Sequence, residues 1–533
     1  MHRPVTAHRP AMVLGARDAT QVRKAVAFAA ETGLPTAVQA TGHGPSRVTE
    51  GSGLLINTRR TTGVSRAPTR PPHESWKGRL SMTTNSAVQA LPRTAPGAGS
   101  TGLRLGALFG PVIFGVTAAG VALPDVAMEM EVRPAVAGWV LTAHALALGV
   151  GTAFFGRLSE KWGVRNSLLT GALFLAMGAV LCLVAQDFGT LIAGRFVQAA
   201  GSGAITSSAL TLASAAAPEQ RTKILAIFGA SMALFSSTAT LMGGMVTDWL
   251  DWRLTLVLPA LSLLLVPFCR ELAASRPGYG KAVDVPGGVL LGAGATSLLL
   301  LIQASSLDLD TPLVIGLAAL LVVSVAGLPA RIGKRPDGFL PRDLATDRTF
   351  LTSAMIGVGG YAGLFAAMYA VPQILAVQYG WGVFKIGAWL LPGAVVGAVA
   401  ARVASKLTVG KGGSLLLAVT AVSCAVFLGI VGLVDGGIVV MLIGTSMGMA
   451  TFAATQVLTT AVLSSRLEPA RRGGAMGVLN LLFFVGGGIG SAAAGALSEH
   501  MDLTSALAVV AALPLLAGLI ALTLPPARAR QET

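Results

Sequence analysis

The chain reads as an all-α membrane protein with fourteen transmembrane helices: two six-helix halves with two inserted helices, behind a short α/β fragment at the N-terminus. Three observations predict this. Long apolar stretches fill residues 103 to 525, and about 20 apolar residues suffice to cross a hydrocarbon core ~30 Å thick. The loops between the stretches alternate in charge sign. Hydrophobic residues make up 53% of the chain and charged ones 12%, which is unlike a soluble globule.

The spans fall near 103–125, 136–157, 166–184, 189–213, 222–246, 252–272, 286–304, 312–331, 349–377, 383–405, 414–434, 437–462, 473–498 and 504–525. They divide the chain into a first half at 103–272, an inserted pair at 286–331, a second half at 349–525 and a tail at 526–533. Loops after even-numbered spans are basic, with Arg157, Lys161, Arg165, Lys334 and Arg335 among them. Loops after odd-numbered spans hold only Arg133, Arg253 and Lys385 as bases, against acids such as Asp125, Glu129, Asp187, Asp248, Asp308 and Glu499. Positive residues stay in the cytoplasm, so the even loops and both termini are expected inside the plasma membrane. Trp139 and Trp249 fall where outer interfacial aromatics are expected.

The net charge of +15 does not point to nucleic acid, because 14 of the 39 basic residues precede position 105 and most others are inner-loop anchors. Cys182, Cys269 and Cys424 all fall inside spans and read as small packing residues, not as a disulfide or metal set. No metal site, cofactor or enzymatic centre is expected. The early residues lack the apolar core of a signal peptide.

Residues 1–63 have a different texture. PAMVLGA, ATQVRKAVAFAAET, LPTAVQA and GLLINT read as strand, helix, strand and strand, with Val22, Ala25, Val26 and Ala29 at helical spacing. The string RPAMVLGARDATQVRKAVAFAAETGLPTAVQATGHGPS resembles the opening of the FAD-binding domain of berberine-bridge-type oxidases. That resemblance implies a flavin joined to His43. Some fifty residues cannot enclose a flavin, however, so the segment is expected to be a truncated fragment. Residues 64–102 then read as linker.

Three strings in the spans carry the transport signal. Between spans 2 and 3 lies Gly156-Arg157-Leu158-Ser159-Glu160-Lys161-Trp162-Gly163-Val164-Arg165. It resembles the loop signature of the major facilitator superfamily, where two glycines make a tight turn and a carboxylate can meet a neighbouring helix N-terminus. In span 4, Arg195-Phe196-Val197-Gln198-Ala199-Ala200-Gly201 is similar to that superfamily's R-x-x-Q-G-x-G, with Ala199 replacing a Gly. Arg195, Gln198, Ser202 and Thr206 stack on one helix face. An arginine in hydrocarbon is expensive, so Arg195 should face a polar interior or else snorkel to the outer surface. In span 5 the glycine pair Gly243-Gly244 remains from the antiporters' G-x-x-x-G-P-x-x-G-G, without its Gly-Pro. Across 103–525 the chain most resembles the fourteen-span drug:proton antiporters, Gram-positive tetracycline efflux proteins in particular. In them a residue like Asp284 opens the extra seventh span.

That resemblance implies export of a small amphiphilic organic compound or antibiotic, with a proton as coupling ion and the lipid bilayer as surroundings. Proton coupling needs a titratable group inside the membrane, yet no Asp or Glu falls in the middle of a span. Val116, Ser236 and Gly487 stand where relatives carry acids. His144 in span 2 is the only mid-span alternative, although its residue type and place favour a polar packing residue in the position of an aromatic. An uncoupled facilitator, a transport-dead sensor and a flavin-linked oxidase fusion remain the other readings. Candidate cavity residues are Thr117, His144, Ser202, Tyr361, Tyr369, Gln373 and Asn480, with Trp389 also expected to line the path.

Overall fold

A computed structural model describes residues 12–15, 36–39 and 54–57 of an amino-terminal unit. It also describes residues 97–526 of a membrane unit, except 215–217, 275, 277, 279, 281–282, 409, 435 and 468. The helix expected at 19–32, His43 and most of the linker lie outside the described residues. In the amino-terminal unit β1 (Met12–Gly15), β2 (Thr36–Gln39) and β3 (Leu54–Asn57) form a parallel sheet ordered β1-β3-β2. Both outer strands register on β3, Met12 and Thr36 each opposite Leu54. All three expected strands are present, with the last in the middle.

Among the described residues the membrane unit has fourteen long helices. They are α1 (Ala98–Glu129), α2 (Pro134–Trp162), α3 (Val164–Val184), α4 (Phe188–Ser214), α5 (Pro218–Trp249), α6 (Trp252–Ala274) and α7 (Val285–Ile302). There follow α8 (Thr311–Lys334), α9 (Arg348–Val377), α10 (Val383–Lys406), α11 (Gly412–Val434), α12 (Gly437–Arg466), α13 (Pro469–Leu497) and α14 (Leu503–Ala521). Thirteen of them are long and apolar enough to cross a membrane. The remaining one, α4, has the length, at 27 residues, but Arg195, Gln198 and a run of Ser, Thr and Gly lower its apolarity.

Local signals explain where several helices start. Asp251, Asp284, Asp347 and Asp502 each cap a helix by accepting a backbone N–H two or three residues on. Pro111 and Pro259 open short 3-10 stretches, Gly110–Ile113 within α1 and Leu258–Leu265 within α6. Between α2 and α3 the chain reverses at Gly163, whose φ of 87° suits glycine.

Helices α1–α6 pack among themselves, as do α9–α14, and the halves meet along α1–α9, α2–α13 and α5–α10. The α2–α13 seam is antiparallel. Thr142 bonds Ser491 at 2.9 Å, Gly149 sits on Leu481, and Gly477 sits on Ala153. Helix α7 lies on that seam, where Leu299 meets Gly488 and Gly292 meets Val150. α8 packs on α7, and most of its surface is free of protein contact. Outward-facing apolar residues such as Leu173, Leu264, Val322 and Leu433 are exposed, as a lipid-facing surface requires.

Charged groups gather at two opposite ends, odd loops at one and even loops at the other. At the odd-loop end Arg133 reaches Ser306 O (2.7 Å), Asp308 (2.8 Å) and Glu499 (2.9 Å), while Arg253 pairs with Glu129. At the even-loop end Arg466 donates to Thr349 Oγ1 and to Pro526 O, which places the start of the tail there. One aromatic expectation needs correction. Trp249 is 63% exposed and stacked on Phe384, whereas Trp139 is buried in the core at 7%. The three cysteines are buried and unbridged.

Candidate functional site

The centre of the first half is organised by Arg195 on α4. It is 0% exposed, so it does not snorkel. Its guanidinium donates to Val140 O (3.3 Å) on α2, Gly115 O (2.5 Å) on α1, Leu256 O (3.0 Å) on α6 and Gln198 Oε1 (2.8 Å) one turn along. Gln198 Nε2 donates to the same Leu256 O at 3.0 Å. That carbonyl is available in part because Pro259, three residues on, has no N–H to offer it. The expected polar stripe therefore exists, but it points into three neighbouring helices. Below it Thr206 bonds Ser202 O, and Ser202 Oγ, fully buried, has no partner.

His144 on α2 lies next to this hub. It is 0% exposed, and neither ring nitrogen has a hydrogen-bond partner. A Cβ at Gly115, whose carbonyl Arg195 holds, would collide with the imidazole. The glycine is thus a steric requirement for enclosing the ring. Thr117 returns its hydroxyl to Ile113 O. Gly243 packs on the Ala118 backbone of α1, while Gly244 packs on Val383 and Phe384 of α10. The glycine pair consequently serves two interfaces, one inside the first half and one between halves.

In the second half Tyr361 on α9 sits among Phe452 of α12 and Phe483 and Phe484 of α13, with ring centroids at 4.4, 5.1 and 5.5 Å. Its hydroxyl donates to Gln456 Oε1 at 2.7 Å. Tyr369 lies 3.4 Å from Ser498 Oγ, Gln373 returns to Tyr369 O and Asn480 to Met476 O. These side chains are buried near the seam. Trp389 departs from expectation: it is 53% exposed and lies against Trp381, away from the interior.

At the even-loop end the signature loop does something the motif alone does not announce. Gly156 is buried, Arg165 is exposed, and Glu160 pairs with Arg157 of its own helix at 3.4 Å. The reach to another helix start is made by Arg157, whose guanidinium lies over Gly474 in α13. Arg157 Nη2 also donates to Phe339 O at 3.1 Å. Phe339 N donates to Asp284 at 3.1 Å, and Asp284 takes the Arg331 guanidinium at 2.5 and 2.9 Å. Burial raises the Asp284 pKa, but Arg331 and the N–H groups of Phe339 and Gly287 outweigh it, leaving the carboxyl below its ordinary range. Sequence reasoning placed Asp284 at the start of α7 but missed Phe339, Gln456, Thr142 and Ser491. Among the described residues no group of His, Cys, Asp and Glu could hold a metal ion.

Residues 105–466 match the family model described as Major Facilitator Superfamily. The riboflavin transporter RibZ of Clostridioides difficile (strain 630) is 27% identical over 259 residues, 48% of this chain and 56% of that one. The chain thus spans little more than half the length of that relative. The cephamycin export protein CmcT of Amycolatopsis lactamdurans is 28% identical over 439 residues, 75% of this chain and 87% of that one. Among solved structures, a POT family transporter in complex with 5-aminolevulinic acid superposes with a TM-score of 0.59 at 14% identity, covering 80% of this chain and 95% of that one. This last likeness concerns the fold alone.

Proposed function

We infer a transport function from one premise: the chain belongs to the Major Facilitator Superfamily, whose model spans 105–466, and is a multi-pass membrane protein. We propose that it exports a small amphiphilic organic compound across the plasma membrane by rocking its two halves around the central seam. Both termini are then cytoplasmic, and all fourteen helices, α4 included, cross the bilayer. The observation that carries this is the seam itself. Two six-helix halves meet along three helix pairs, with buried polar groups (Arg195, Gln198 and His144 on one side, Tyr361 bonded to the half-buried Gln456 on the other) beside it. Aromatic faces with a few polar groups suit an amphiphile. The names of the relatives, a riboflavin transporter and a cephamycin export protein, are in keeping with that substrate class.

For coupling, the reading assigns the proton to His144. An imidazole titrates near neutral pH in water, and this one has no competing hydrogen bond. A second reading, an uncoupled facilitator, is favoured by the placement of acids: Asp125, in the last turns of α1, is the acid deepest in a long helix among the described residues. A panel of toxic small molecules, tested on cells with and without the gene, finds the substrate. Everted vesicles then separate the two readings. Under the proton reading, collapsing the gradient stops accumulation and His144→Ala abolishes its pH dependence at equal expression. Substrate that still equilibrates, with no accumulation in either protein, supports the facilitator. Loss of resistance that Gln198→Ala restores as fully as wild type would remove the hub from the transport mechanism.

A further inference from the structure

The inserted pair α7–α8 is fastened at both ends to α2, each time by an arginine of the α2 segment donating to a backbone carbonyl of a loop that adjoins the pair. At the odd-loop end Arg133, the residue before α2, donates to Ser306 O, and Gln303 Nε2 reaches back to Ala135 O at 3.4 Å. At the even-loop end Arg157, in the last turns of α2, donates to Phe339 O. Between these points α7 lies over the junction of α2 and α13. A passive spacer would need none of these contacts. The two fastenings are some 24 residues apart along α2, nearly the helix's full length.

The even-loop fastening is the more constructed of the two. Phe339 is held through both backbone groups, its N–H by Asp284 and its C=O by Arg157. Its ring is 3% exposed and packs on Gly287 and Gly288 at the start of α7. Asp284 itself is fixed by Arg331 from the end of α8 and by its capping bond to Gly287 N. The same Arg157 lies over Gly474 of α13, where the two halves meet. One chain of contacts therefore runs from α8 through Asp284, Phe339 and Arg157 to the second half.

We propose that the insertion is a brace riding on α2, and that Asp284 is a positioning residue: by holding Phe339 on Arg157 it keeps the even-loop ends of α2 and α13 together. This rests on the alternating-access reading for its purpose but not for its test. Rocking must separate α2 from α13 at one end at a time. A strap bonded to α2 at both ends and laid over its junction with α13 can bias which end opens without blocking either.

The test uses the full chain in lipid nanodiscs with nitroxide pairs read by pulsed dipolar spectroscopy. Lys161→Cys with Ser405→Cys reports the even-loop end, and Leu250→Cys with Gln378→Cys the odd-loop end. All four positions are exposed, while the native cysteines are buried. Asp284→Ala should raise the long-distance population of the even-loop pair about tenfold, the effect of losing one charge-assisted hydrogen bond, and leave the odd-loop pair unchanged. Phe339→Pro removes the N–H that Asp284 accepts while keeping the Asp284–Arg331 pair, and it should do the same. If Asp284→Ala fails to give a monodisperse protein, Phe339→Pro decides alone. Unchanged even-loop distances in every variant that folds overturn the brace. No substrate enters the measurement, so a chain that transports nothing would sink the proposed function and leave this result standing.

Discussion

Arg195, wholly enclosed in α4, and Arg133, half-exposed ahead of α2, each tie at least three segments together, and they use opposite kinds of acceptor. Arg133 answers to two carboxylates and one carbonyl. Arg195 answers to three backbone carbonyls and a side-chain amide, none of them a carboxylate. In a low-dielectric interior, aligned carbonyl dipoles hold a cation strongly, because no water competes and losing any partner leaves a bare polar group. At the surface even paired charges are worth little, since solvent serves nearly as well. Similar-looking contacts should therefore differ several-fold in what their removal does.

The largest effect is expected inside. Arg195→Met strips the guanidinium donors from Val140 O, Gly115 O and Gln198 Oε1 at once, leaving Leu256 O only its bond from Gln198, and should cost about 3 kcal/mol or more. The readout is the midpoint of thermal inactivation of the purified protein, together with loss of export. Arg195→Lys should recover only part, because an ammonium cannot span acceptors on three helices as a planar fork does. Full thermal stability in the lysine variant would show that charge, not geometry, is what the hub needs.

Next in size is the contact between halves at Gly244. A Cβ there would lie 2.9 Å from Val383 O and 3.1 Å from Phe384 Cα, both backbone atoms, so α5 and α10 must separate. Gly244→Ala should cost about 1–3 kcal/mol and impair export. Gly229→Ala in the same helix meets nothing within 4 Å and should be neutral or slightly stabilising, since alanine favours helix by up to ~1 kcal/mol. Equal effects at the two positions would remove the packing explanation.

How far the sequence could be read follows the same division. The all-α membrane character, its long apolar helices and the segregation of charge depend on composition along the chain, and they were legible. So were Arg195 and Gln198 as a pair, because i and i+3 are neighbours on any helix. Asp284 before Val285-Pro286 was legible as a helix start. What it does for Phe339 was not, because the partner is a backbone amide 55 residues away, and backbone groups leave no trace in residue identity. Phe339 could have been suspected only as an aromatic in an otherwise polar loop. Trp139 and Trp389 were misread for a related reason. Near a helix end, a tryptophan's direction depends on which face the fold turns inward, and short amphipathic context does not decide that.

A smaller effect belongs to Asp502, the cap of α14, which accepts from Ser505 N at 2.9 Å and from the Ser505 and Thr504 hydroxyls. Those bonds lower its pKa to about 2. Because the folded value lies below the unfolded one, the stabilisation is fully present above about pH 4 and fades as pH falls through about 2. Asp502→Ala should cost about 1 kcal/mol at neutral pH. The gap from wild type should narrow below pH 4 in thermal scans. A gap that stayed constant down to pH 2 would mean the residue acts through something other than its charge.

The smallest effect is expected at Arg133, and it tests the comparison most directly. Its side chain is 46% exposed and its partner Asp308 is 81% exposed, so solvent can replace both. Arg133→Ala should cost no more than about 1 kcal/mol in low salt. That cost should shrink further at 1 M salt, where charges screen each other within ~3 Å. The Arg195→Met deficit should not move with salt, because ions do not reach an enclosed guanidinium. Measuring both variants across a salt series therefore separates the two regimes on one axis. If Arg133→Ala proved as damaging as Arg195→Met, the bond to Ser306 O would be the element that matters there. The odd-loop fastening of the insertion would then be as firm as the even-loop one, and the bias of the brace toward one end would have no structural basis.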